Sequence, residues 1–146
     1  MPIVKLYLTA MAIFLVIDLA WIGWIARGFY QVRLGYILAP SPNWAAAVVF
    51  YLMFIAGLLV FVVLPGLRQS SAGPALVRAL LYGAVTYGTY GLTNLAVVRE
   101  WPVLVTVVDM VWGIVLSTLV SLGTIAAGRR FVRSGAVPGN RQGDAD

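Results

Sequence analysis

The chain has 146 residues, of which 62% are hydrophobic and only 10% charged, with a net charge of +5 and neither cysteine nor histidine. An average soluble domain is about half apolar and about a quarter charged, so this chain lacks the polar surface to be one. Thiol chemistry, imidazole bases and zinc or haem ligation by Cys or His are excluded, and an integral membrane protein remains.

Four apolar runs, at 4–26, 44–64, 75–98 and 103–127, are long enough to cross a bilayer as helices. A helix rises about 1.5 Å per residue against a hydrocarbon layer of roughly 30 Å. The runs do not alternate as barrel strands do, and backbone groups in lipid must pair within their own segment. The sequence therefore predicts an all-α polytopic membrane protein: a compact bundle of four transmembrane helices over residues 1–133, both termini cytoplasmic, in a bacterial plasma (inner) membrane.

The first run carries Lys5 near its start and Asp18 within it, and bulky Trp24 and Ile25 before Ala26 make a poor cleavage site. A retained helix is expected in place of a signal peptide. The segment 28–39 is too polar to span, and its Phe29, Tyr30, Leu34, Tyr36, Ile37 and Leu38 suit a short interfacial helix. An anchor is the first reading of it, a lid over a cavity the second. Pro40 to Asn43 lead into the second run, with Asn43 as its cap, and Pro65 and Gly66 close it. The third and fourth runs are separated only by the turn around Arg99, Glu100 and Trp101, which predicts an antiparallel hairpin. The small, polar residues 134–146 read as a flexible cytoplasmic tail.

Basic residues orient such a chain. Lys5, Arg68, Arg78, Arg129, Arg130, Arg133 and Arg141 fall at one end, and Arg27, Arg33 and Arg99 at the other. The arginines at 68, 78, 129, 130 and 133 are read as topology anchors that can meet anionic headgroups. They also account for the net charge, so nucleic acid is not an expected partner.

A carboxylate inside a membrane is costly and by default marks a function. Asp18 lies eight residues before Ala26 and Asp109 six residues after Val103, which as helix places both ~12 and ~9 Å from the same membrane face. Each is followed three positions later by a tryptophan, Trp21 and Trp112, on the same helical face. The two segments, VIDLAW and VVDMVW, have the look of an inverted pair. The third run adds Tyr87, Tyr90, Thr93 and Asn94 at a matching depth. Together Asp18, Asp109, Asn94, Tyr90, Tyr87 and Thr93 form the candidate polar site, with Trp21 and Trp112 as its aromatic lining. The second run has Tyr51 as its only hydroxyl and is expected to face lipid or a subunit contact. Gly113, Ser117 and Ser121, four residues apart, read as a packing stripe.

Two carboxylates and an amide make an incomplete metal shell, so neither a metal nor a cofactor is expected. Three functions stay open. The first is a small carrier or binding protein for a proton, a cation or an amphipathic ligand, its partners being membrane lipids, a small cationic or lipid-like ligand and, for transport, a second copy of the chain as a homodimer. The second is a membrane enzyme acting on lipid, with one aspartate as base and the other as acid. The third is a non-catalytic accessory or assembly subunit whose polar cluster sets helix register.

The stretches FLVIDLAWIGWIARGFY (14–30), PNW (42–44), FVVLP (61–65) and, most specifically, YGTYGLTNLAVVREWPVLVTVVDMVWG (87–113) resemble the DUF2177 family of small bacterial membrane proteins. The resemblance covers most of residues 3–126 and implies a compact multi-helix membrane protein without supplying an activity. Where the family pattern has an Asp in a TYDLTN-like run, this chain has Gly91, so the resemblance also implies one acid fewer on the third helix.

Overall fold

The computed structural model describes residues 3–134, with side chains as far as Phe131. The expected tail over 135–146, Arg141 and the Arg133 side chain lie outside the described residues. Five helices follow in order: α1 Ile3–Ile25, α2 Arg27–Leu34, α3 Trp44–Leu67, α4 Gly73–Val97 and α5 Val103–Ser134. The all-α expectation stands, but the four-helix transmembrane bundle does not. Among the described residues three helices are long and apolar enough to cross a membrane: α1, α3 and α5 up to Phe131. The run predicted as the third span does fold, as the 25 residues of α4. Arg78, Thr86, Thr89, Thr93 and Asn94 dilute its apolar character, and length alone overstated it. The assignment of both termini to the cytoplasm rested on a count of four spans and is not retained.

Two of the long helices carry a π turn, Trp21–Ile25 at the end of α1 and Leu59–Val63 inside α3. A proline removes an N–H and crowds the carbonyl four residues back. The π turn directly before Pro65 widens the helix at that point, so α3 continues through Pro65 and Gly66 to Leu67 and does not stop where the sequence suggested. At its other end Asn43 caps α3, its side-chain oxygen accepting from the Ala46 N–H at 3.1 Å.

α1 packs against α5, and α5 against α4 along most of its length, while α3 fits between α1 and α4. The expectation that α3 faces lipid or a subunit contact, away from the other helices' polar centre, is therefore corrected. One of its faces, with Phe54, Ile55, Leu58 and Val62, is buried in the central core with Ala10, Phe14, Ala79, Leu116 and Val120. The opposite face, with Val48, Val49, Met53, Val60 and Phe61, is exposed and apolar, as suits a helix surface in a bilayer. Tyrosine hydroxyls tie α3 to its neighbours: Tyr7 donates to the Leu52 carbonyl at 2.9 Å and Tyr82 to the Phe54 carbonyl at 2.8 Å.

A second core gathers Leu6, Leu59, Val63, Ala75 and Ile125, which brings the start of α1, the end of α3, the start of α4 and the late part of α5 to one end. Lys5, Arg68, Arg78, Arg129 and Arg130 belong to this end. Four of them are exposed, but Arg129 is half-buried and donates to the Gln69 carbonyl at 2.9 Å and to the Gly66 carbonyl at 3.4 Å. It adds a donor to the Gly66 carbonyl in the last turn of α3 and to the Gln69 carbonyl just past it. Replacing Arg129 with alanine is expected to lower stability by about 1–2 kcal/mol, the scale of lost charge-assisted hydrogen bonds. Thermal unfolding in detergent would show it, with Arg129→Lys recovering part of the loss.

A third core, Leu34, Trp101 and Val105 with Phe29, Tyr30, Leu95 and Val98 against it, closes the opposite end. Here the chain turns from α4 into α5 with Val98 extended and Glu100 at φ 60°. Trp101 donates to the Thr106 hydroxyl and Thr106 to the Gly91 carbonyl, each at 3.1 Å. These buried bonds lock the start of α5 onto α4 and fix the position of Asp109, one turn further along.

Candidate functional site

Helix α1 presents Asp18 and α5 presents Asp109, both buried, at 5% and 7% exposure. They line one cavity of about 660 Å³, between α1, α3, α4 and α5 and beneath α2. That volume falls in the range of small-molecule sites. The carboxylates are held differently. Asp109 accepts a hydrogen bond from the Tyr30 hydroxyl. Asp18 accepts from the Trp112 indole and from the Tyr51 hydroxyl, both at 3.4 Å. Charge-assisted bonds of these kinds run nearer 2.5–2.9 Å, so Asp18 is under-bonded. None of the three donors is cationic.

The Asp-x-x-Trp spacing explains the aromatic wall. Because α1 and α5 run antiparallel, Trp21 and Trp112 meet face to face, with centroids 4.3 Å apart and planes 9° from parallel. Trp112 reaches across to the opposite helix's Asp18. The reciprocal contact is missing: Trp21 Nε1 is buried beside the Tyr30 hydroxyl without hydrogen-bond geometry, and Tyr30 occupies Asp109 in its place. The inverted pair is thus broken by a residue from α2.

The third helix of the sequence reading, now α4, contributes Tyr87, Tyr90 and Thr86 to the cavity wall. Thr86 turns its hydroxyl back to the Tyr82 carbonyl at 2.7 Å, which leaves the tyrosines as the polar groups of that wall. Asn94 neighbours Tyr90 but is not among the cavity residues, and Thr93 is exposed. Gly113, Ser117 and Ser121 are buried on α5. Gly113 lies under the Tyr87 ring, where any Cβ would collide, and the Ser117 and Ser121 hydroxyls have no hydrogen-bond partner among the described residues.

The family model described as "Predicted membrane protein (DUF2177)" matches residues 3–126. The chain belongs to the DUF2177 family. No curated protein and no solved structure matches it. For this family member the cavity is therefore read from its own chemistry.

Sequence reasoning missed four cavity residues. Tyr51 stands out there as a hydroxyl but on a face expected to meet lipid or a subunit contact. Tyr30 reads as part of an apolar anchor, and Arg27 and Gln31 do not read as cavity residues, yet all four line the cavity. Their spacing was the available signal, since 27, 30, 31 and 34 share one face of a helix. Burial, and then the bond to Asp109, push the Tyr30 phenol above its ordinary range, so it remains a donor at any physiological pH. Tyr30→Phe is expected to strand the Asp109 carboxylate and lower stability by about 1–3 kcal/mol. A thermal-unfolding cycle checks this, with Asp109→Asn in the Tyr30→Phe background recovering most of the loss.

Proposed function

We propose that this membrane protein binds a cationic amphiphile in the cavity, with Asp18 as the counter-charge and the tryptophan and tyrosine walls around the ligand's apolar body. The observation that carries the reading is the state of Asp18: buried, on the cavity wall, and held only by two long bonds from neutral donors. A carboxylate out of water needs short bonds from charged or multiple donors. An ammonium group supplies three donors and the missing charge. Aromatic faces add attraction for a cation, by ~1–2 kcal/mol when desolvated. Asp109, already served by Tyr30, has less need of the ligand and fixes α2 over the cavity.

The test uses purified protein in nanodiscs of neutral lipid, followed by tryptophan emission. Decylamine is expected to shift the emission saturably, at concentrations at least tenfold below those needed with decanol, about 1.4 kcal/mol of preference. Decanoate is expected to have no saturable effect. Equal responses to the amine and the alcohol would refute the reading.

A further inference from the structure

Helix α2 turns Leu34, Phe29 and Tyr30 onto the core and leaves Arg27, Gln31 and Arg33 exposed, as a helix lying on a membrane interface does. In α2 the positions that line the cavity are Arg27, Tyr30, Gln31 and Leu34, one face at helical spacing. Val32 points away from it and is 83% exposed. Leu34 and Tyr30 are accounted for by the core beneath them and by Asp109. Arg27 and Gln31 are not: among the described residues neither side chain has a hydrogen-bond partner, although both border the same space as the carboxylates. A guanidinium and an amide at the rim of a cavity recognise an anion or a carbonyl.

The cavity is consequently polarised. Asp18 lies in α1 and Arg27 opens α2, nine residues apart in the chain, at most about 13 Å as continuous helix; the second acid, Asp109, is already bonded by Tyr30. Trp21, Ile22 and Tyr87 line the same cavity, which suits methylene or aromatic carbon and not charge. An amine alone would satisfy only the deep end.

We infer that the ligand is bipolar: a cationic end at Asp18, an apolar middle, and an anionic end, carboxylate or phosphate, taken by Arg27 with Gln31 at the rim. This rests on the cationic-amphiphile reading and names its ligand class. Arg27 then acts as the specificity residue of the site. It discriminates against simple amines, which leave its guanidinium facing the cavity without a partner.

The experiment compares ω-aminodecanoate with decylamine in the same nanodiscs, using the wild-type protein, Arg27→Gln and Gln31→Ala. The amino acid is expected to bind about tenfold more tightly than the amine to the wild type, on the scale of one charge-assisted hydrogen bond. That ratio is expected to fall toward one in Arg27→Gln and to fall partway in Gln31→Ala. Shortening the chain to ω-aminohexanoate should remove the advantage, because the two ends no longer reach. Wild-type binding of decylamine with no gain for ω-aminodecanoate would overturn the bipolar ligand while leaving the cationic reading in place. So would a ratio that Arg27→Gln does not change. Failure of both amines to bind would overturn the cationic reading and this inference with it. Arg27 and Gln31 are exposed, and an unchanged thermal transition would establish that the variants fold.

Discussion

Asp18→Asn is expected to weaken decylamine binding by ~30-fold to ~10³-fold while leaving the thermal transition unchanged or raising it. The two halves of that result follow from one fact. The Asp18 carboxylate is buried with two 3.4 Å bonds from neutral donors, so its charge is poorly compensated and contributes little to the fold. The asparagine oxygen can accept from Trp112 while its N–H₂, in the place of the other carboxylate oxygen, donates to the Tyr51 hydroxyl, and no ionised group then needs solvation. Binding behaves oppositely, because the ligand's ammonium would lose its counter-charge and meet an amide N–H₂ in the same place. Removing one partner of a buried charged pair costs about 2–4 kcal/mol. A purely structural aspartate predicts the reverse pattern, with stability falling and ligand affinity unaffected. Measuring both quantities on the same preparation separates the two. Asp109→Asn offers the contrast: its carboxylate receives the Tyr30 bond, so its loss should loosen α2 and show first in stability.

The strengths and gaps of the sequence reading follow from the range over which each force acts. The apolar runs of α1, α3 and α5 were legible because transfer into lipid is a local, additive property of a segment. The two aspartates were legible for the same reason, since their cost depends on depth and depth follows from position in the run. Stacking of Trp21 on Trp112 was implicit in the three-residue spacing once the two helices were taken as antiparallel. What was not legible depends on neighbours. α4 was counted as a span by length, although its buried face is made of Ala75, Ala79, Gly83, Gly88 and Gly91, residues chosen to approach another helix and not to dissolve in lipid. Tyr51 and Tyr30 each look like interfacial or lipid-facing tyrosines in isolation. Only the fold shows that their hydroxyls end on carboxylates 33 and 79 residues away in the chain. The π turn before Pro65 belongs to the same class, because it is a compromise between an imino acid and the packing around it.

Gly83→Ala is expected to be the most destabilising single change outside the cavity, because it acts where α4 and α5 touch backbone to backbone. A Cβ at Gly83 would lie 2.6 Å from the Ile114 Cα and 2.7 Å from the Gly113 carbonyl carbon, and would collide with the Gly113 carbonyl oxygen. Side-chain clashes can be relieved by rotation, but these atoms belong to the backbone of α5. The helices must separate, and α4 carries Tyr87 and Tyr90 into the cavity wall while α5 carries Asp109 and Trp112. Overpacking in a well-filled core costs about 1–3 kcal/mol, and the absence of a yielding side chain puts Gly83→Ala at the upper end. Gly88→Ala is the control: its Cβ would meet only the flexible end of Met110, at 3.3 Å from Cε, and should cost well under half as much. Thermal unfolding of the two variants in detergent gives the comparison. A Gly83→Ala protein as stable as Gly88→Ala would mean that the α4–α5 crossing is looser than the structure has it. In that event the alignment of tyrosines, tryptophan and aspartate across the crossing would lose its rigid support, and the cavity could no longer be treated as preformed.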